Sequence, residues 1–292
     1  MTGEPGADLV RAAYHAFFKR EPDPRATYHI KTFFSDGNND IEGFLNTLWL
    51  SYEFRYRVIE RLSGDKIINK GGYSLIISLG THCFTSFLMK YSGLKTQSYP
   101  FDWIFSSTKM VTHCINDDFD IFMNDSFHEP VALIDRPNAQ DYNKCNHTYY
   151  RDNFGINFLF NHHSMDELEN VEYFSRCISR LRDAFSSTEA TLAVQCFRKQ
   201  TTEREDFLEL SDAIKRRAPN MDLLSISIDE SRNDLVMPEF QLIEEDGRNQ
   251  LYRLRATSAL GGIEFGAAID DLAVLRLMES RGLNIKKSYV PR

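Results

Sequence analysis

The chain has 292 residues, 42% hydrophobic and 26% charged, with a net charge of −8. That is long enough for one large domain, or one domain with a small companion, and for a sizeable core. The acidic balance and the lack of a long basic block argue against a nucleic-acid partner, whose phosphates demand clustered Lys and Arg.

The N-terminal "MTGEPGADLVRAAYHAFFKREPD" lacks the apolar core of a signal peptide, and no apolar stretch approaches the ~20 residues that span a bilayer. A soluble, cytoplasmic protein is expected. The five cysteines, Cys83, Cys114, Cys145, Cys177 and Cys196, are scattered and form no CxxC. Neither a metal site nor a disulfide framework is expected, and four of the five read as small buried hydrophobes.

Residues 1 to about 64 read as a helical module. Leu9, Ala13, Phe17 and Phe18 mark an apolar face at helical spacing, and Asp23-Pro24 suits a cap and a first-turn proline. "GNND" (37–40) is a turn, after which Ile41, Phe44, Leu45 and Leu48 give a second face. Residues 65–72 are polar and contain glycine, as a linker does. From Tyr73 to the C-terminus the rhythm becomes strand, helix, strand, helix. Strands are predicted over 73–79, 155–161, 191–197, 222–228 and 250–256. Helices are predicted from Phe84 to a stop at Gly93, behind a Ser164–Glu167 capping box, behind Thr202 and Glu205, and over 268–281. The fold class expected is α/β, a mostly parallel sheet with helices on both faces, preceded by the small all-α module. Residues 95–154 break the rhythm and are expected to form a long insertion beside the site.

In open parallel sheets, ligands sit beyond the carboxyl ends of the strands. That rule selects Cys83 after the first predicted strand, His162 and His163 after the second, Arg198 and Lys199 after the third, and Asp229 and Glu230 after the fourth. Cys83 falls at a helix start, where unpaired N–H groups favour thiolate and can hold an oxyanion. Gly80 permits a tight turn with close backbone approach. The same position also suits a small residue packed under the helix. In "SYPFDWIFSS" (98–107), Phe101 and Trp103 are aromatic anchors. Asp102 between them either caps the next segment or orients a catalytic His.

"SLGTHC" (78–83), "LKTQSYPFDWIFSS" (94–107), "DDFDIF" (117–122), "GINFLFNHH" (155–163) and "AVQCFRK" (193–199) together resemble a family of unknown function classed as papain-like cysteine peptidases. The resemblance runs over about 73–230. It implies Cys83 as nucleophile and His162 as its partner; a carboxylate, Asp102 or Asp229, is expected to contact the far nitrogen of the ring and fix its tautomer. It points to a peptide or amide substrate, with no cofactor required. Papain-type enzymes place a glutamine shortly before the cysteine; here an apolar run without one precedes Cys83. The turn resembles more weakly the Gly-Asn-Cys turn of capsule-biosynthesis acetyltransferases. That reading implies a cysteine-dependent acyltransferase acting on an acylated glycan, with Arg198 and Lys199 meeting a phosphate of coenzyme A. Under any catalytic reading, Gly80 and Trp103 are expected on the substrate side. Residues 1–64 resemble a helical module related to phycobilisome linker domains, carried by Tyr14, Phe18, "KREPDP" (19–24) and "LSYEF" (50–54). It implies a protein partner and no chemistry. A catalytically silent binding protein is the third reading.

Overall fold

A computed structural model describes residues 6–18, 20–35, 37–49, 51, 72–135, 144–230 and 237–283. Residues 65–71 of the predicted linker and most of "LSYEF" lie outside the described residues. The chain divides into two units, Met1–Lys66 and Ile67–Arg292.

The first unit holds helices α1 (Ala7–Phe18), α2 (Thr27–Phe33) and α3 (Ile41–Trp49). Val10, Ala13, Tyr14, Phe18, Ile30, Phe34, Phe44 and Leu48 make its core. The apolar stripe of each amphipathic helix is satisfied by the others. Ile41 and Leu45 differ from expectation and face solvent. Asp23-Pro24 opens a 3₁₀ turn (Pro24–Ala26) ahead of α2 and caps no longer helix.

The second unit is α/β. Its elements in order are β1 (Leu75–Ser78), α4 (Phe84–Tyr91), α5 (Thr108–Asn116), β2 (His128–Pro130), β3 (Cys145–His147) and α6 (Thr148–Phe154). Then come α7 (Leu168–Ser186), β4 (Thr191–Arg198), α8 (Glu203–Arg217), β5 (Met221–Asp229), β6 (Glu239–Asp246), β7 (Asn249–Arg255) and α9 (Ala268–Ser280). The main sheet runs β1-β4-β5-β7-β6. The first four strands are parallel, and β6 closes the edge antiparallel to β7. β4 and β5 are buried along nearly their whole length because both faces are covered. Ile77, Ala193, Leu223 and Leu251 pack with Met110, Phe174, Leu181, Phe207 and Ile214 from α5, α7 and α8. α4 and α9 meet each other, and the Phe84 ring is 5.2 Å from that of Phe265 in the loop before α9.

Two expectations are corrected. Residues 155–161 are not a strand of the main sheet. Gly155 (φ +69°) ends α6, Phe158 also sits at positive φ (+51°), and Phe160 pairs only with Cys145 of β3. Two left-handed residues three apart cannot run as an extended strand. The Ser164–Glu167 capping box is not used either. The Ser164 carbonyl accepts from the Glu167 N–H and from Asn170 Nδ2, which makes a turn, and α7 starts at Leu168. β6 was not anticipated, since an exposed edge strand of "EFQLIEED" carries no buried alternation to read. Residues 95–154 include α5, α6 and the small β2–β3 hairpin, whose strands pair antiparallel.

Candidate active site

The turn after β1 is built by hydrogen bonds to β4. The ladder continues past Ser78, with Leu79 N–H donating to Val194 O (2.8 Å) and Thr81 N–H to Cys196 O (3.4 Å). Gly80 is required there for space. A Cβ at that position would lie 2.6 Å from Thr85 Oγ1, and Thr85 is itself fixed by the Cys196 N–H. Gly80 therefore lets the turn pack on the helix it precedes. Cys83 then occupies the N-cap of α4, already in helical conformation, and is 5% exposed.

His162 arrives by another route. Cys145 of β3 exchanges two backbone hydrogen bonds with Phe160, both 3.1 Å, and Asn161 and His162 follow directly. "PFDWIFSS" then joins the two halves. Ser106 N–H donates to Thr81 O (2.9 Å) and Ser106 Oγ to Gly80 O (3.2 Å), while Phe105 N–H donates to Leu159 O (2.9 Å). The result is a 3.7 Å approach of Cys83 Sγ to His162 Nε2, with the ring exposed to solvent. A thiol within reach of an imidazole is the arrangement that nucleophilic acyl chemistry requires.

A family model described as "Putative papain-like cysteine peptidase (DUF1796)" matches residues 74–229, just over half of the chain. The chain belongs to this family. The match leaves residues 1–73 and 230–292 unassigned, and supports a cysteine hydrolase with a protein or peptide substrate. No curated protein and no solved structure matches the chain.

Cys83 differs from the expectation that its helix start would lower its pKa. Burial pushes the Cys83 thiol up to about 11, and the nearby Asp102 charge adds to this; the residue's own backbone N–H only partly offsets them. A helix of eight residues contributes too little at its N-terminus to overturn the loss of hydration. The other four cysteines are also buried, free and raised by burial.

The remaining predicted residues sit as follows. Asp102 is fully buried behind α4, where Lys95 Nζ and the Tyr99 N–H donate to it and Ser86 adds support. Its partners fix the "PFDW" turn. Asp229 accepts from Lys199 Nζ at 2.7 Å, and Arg198 pairs with Glu230 at 3.0 Å and donates to Leu260 O. Trp103 lies beneath the ammonium groups of Lys90 and Lys95, at 5.9 and 5.7 Å. His163 stacks on Tyr173 with rings 5.0 Å apart and nearly parallel, so it packs α7. His82, adjacent to Cys83, has its pKa lowered to about 4, by burial and then by Arg198.

Sequence reasoning passed over three residues of this site. Ser106 bridges the two turns. Lys144, almost wholly buried, donates from Nζ to Asn161 Oδ1 at 2.8 Å, and Asn161 Nδ2 lies 3.2 Å from His162 Nε2. Asn161 stands beside His162 in "FNHH", which is the only signal the sequence offers. Among the described residues no helix is long and apolar enough to cross a membrane, and no cluster of three metal-ligating side chains occurs.

Proposed function

We propose that Cys83 and His162 are the nucleophile and general base of a hydrolase acting on peptide or amide bonds through an acyl-enzyme. The observation that supports it is the 3.7 Å separation of Sγ and Nε2. Because burial keeps the thiol protonated, the proton must move during the attack. The S–H proton passes to Nε2, sulfur forms a bond to the carbonyl carbon, and the C=O π pair moves onto oxygen. Collapse restores the C=O, breaks the C–N bond, and the amine leaves with the proton from Nε2. Water, deprotonated by Nε2, then attacks the thioester. The C–S bond breaks, the acid is released, and sulfur recovers its proton.

The pairing of Arg198 with Glu230 and of Lys199 with Asp229 favours this reading over coenzyme A-dependent acyl transfer, because both cations are already neutralised. The test is iodoacetamide labelling read by peptide mapping, together with turnover of a peptide library. His162→Ala should slow Cys83 labelling ~10²-fold, as expected for loss of a positioned base, with the melting temperature nearly unchanged because the ring is exposed. Cys83→Ser should abolish cleavage. Labelling of Cys83 as slow as that of Cys114, and indifferent to His162→Ala, would exclude the pair. Turnover only with an acyl-coenzyme A would establish the transferase instead.

A further inference from the structure

Attack on a carbonyl creates an oxyanion, and an acyl-transfer site needs a fixed N–H donor aimed at that oxygen. We infer that Asn161 is that donor, and that Lys144 is the residue that aims it; the inference rests on the Cys83–His162 reading.

An asparagine amide presents an acceptor at one end and a donor at the other, and which end faces a site must be settled by partners. Here the partner settles it. An ammonium can only donate, so Lys144 Nζ at 2.8 Å fixes Oδ1 on its side and turns Nδ2 towards His162. Lys144 is itself restrained. It is 7% exposed, and its ammonium stands 5.5 Å from the Phe158 ring centre. Phe158 is held at φ +51° with its N–H donating to Asn146 Oδ1 (2.7 Å). A bulky residue in that region is uncommon and costs roughly 1 kcal/mol or more, so the surrounding contacts enforce the loop shape.

Sγ and Nδ2 are gathered around one ring nitrogen, at 3.7 and 3.2 Å. In the resting state the amide donates to Nε2, so Nε2 is the unprotonated nitrogen and is ready to accept the thiol proton. When it accepts, two N–H groups face each other and the amide loses its acceptor. At that moment the carbonyl oxygen becomes an anion beside it. The amide N–H transfers from the nitrogen that has lost its lone pair to the oxygen that has gained one. Lys144 keeps the amide from rotating to present Oδ1, which would repel the anion. Asn161 is thus a catalytic residue and Lys144 a positioning residue.

The experiment compares two reactions of Cys83. Acylation by p-nitrophenyl acetate passes through an oxyanion; alkylation by iodoacetamide does not. Asn161→Ala should cut the acylation rate ~100-fold, the usual loss for one oxyanion donor, and leave alkylation within ~3-fold, which also shows that the variant is folded and the Cys83–His162 pair intact. Lys144→Met should cut acylation about tenfold, the equivalent of one charge-assisted hydrogen bond, and Lys144→Arg should restore most of it. The double variant Asn161→Ala/Lys144→Met should acylate no more slowly than Asn161→Ala alone, since Lys144 acts only through the amide. Equal loss of both reactions in Asn161→Ala, no loss of either, or additive effects in the double variant would overturn the assignment. A wild-type Cys83 inert to both reagents would overturn the underlying pair, a result distinct from these.

Discussion

The two halves of the site are built by different rules. The nucleophile half is a buried strand and a glycine turn fixed by backbone hydrogen bonds to the neighbouring strand, followed by a helix whose Thr85 hydroxyl accepts from the Cys196 N–H of that strand. The base half is a loop at the foot of a three-residue hairpin, with two left-handed residues and no place in the main sheet. The first is periodic and local, so "YSLIISLGTHC" could be read directly as strand, turn and helix start. The second has no period. Its shape depends on contacts between Cys145 and Phe160, Asn146 and Phe158, and Leu159 and Phe105, up to 54 residues apart in sequence. Of the proposed pair, pattern reveals one member and only tertiary packing delivers the other.

The largest effect that would separate the halves comes from behind the nucleophile helix. Asp102 and Lys95 form a buried pair in which burial raises the carboxyl pKa and lowers the ammonium pKa, each opposed by the attraction between them. Such pairs add little net stability while intact, but removing one member strands the other, at a cost of about 3–5 kcal/mol. Lys95→Met should therefore lower the urea midpoint sharply, and Lys95→Met with Asp102→Leu should regain most of the loss. If Lys95→Met is harmless, Asp102 takes up a proton without penalty, and the nucleophile half is less rigid than its packing implies.

Acid should act on both halves to similar extents. His147 in β3 is fully buried, donates from Nε2 to Ile121 O (3.0 Å), and is lowered to about 4, chiefly by burial. His82 in the nucleophile turn is also lowered to about 4 but is partly exposed. With a native pKa below the unfolded value of 6.5, each histidine is neutral in both states above pH 6.5. Between 6.5 and 4 only the unfolded chain takes up the proton. Stability therefore falls as pH falls through that window and levels below it, by up to about 3 kcal/mol for a fully enclosed ring. His147→Gln and His82→Gln should flatten the slope by similar amounts. A much smaller effect of His82→Gln would mean that water reaches its partly exposed ring and that its native pKa lies nearer 6.5.

The same contrast explains what the sequence made legible. The parallel strands β1, β4, β5 and β7, the helices after them and the position of Cys83 follow from apolar runs and helical spacing. The edge strand β6 did not, because its side chains are largely solvated. Residues 155–161 were read as a strand because "INFLF" is apolar, yet that run is apolar to fill the core around Phe160 and Leu159 and not to pair in the main sheet. His162 was therefore expected at a strand end. It reaches Cys83 from a loop instead, and the short list of charged partners drawn from strand ends, Arg198, Lys199, Asp229 and Glu230, turns out to be paired within itself. Asn161 and Lys144 have no spacing that could announce them.

The smallest effect tests the joint between the halves. Ser106 bonds the nucleophile turn twice, by its N–H to Thr81 O and by its hydroxyl to Gly80 O, while its neighbour Phe105 bonds the base loop at Leu159. Ser106→Ala removes only the hydroxyl bond and keeps the backbone one. Global stability should drop by only about 1 kcal/mol, the net worth of one hydrogen bond at a partly buried site. The Sγ–Nε2 distance is more sensitive than stability, because it depends on two separately folded segments staying in register through this single turn. A positioned base loses effectiveness when its geometry loosens by ~1 Å. Cys83 labelling in Ser106→Ala should therefore slow several-fold, more than the stability loss alone accounts for, and Ser106→Thr, which keeps the hydroxyl, should recover the rate. If labelling is unchanged while stability falls, the backbone bonds alone hold the halves together, and the hydroxyl contributes to folding and not to the site.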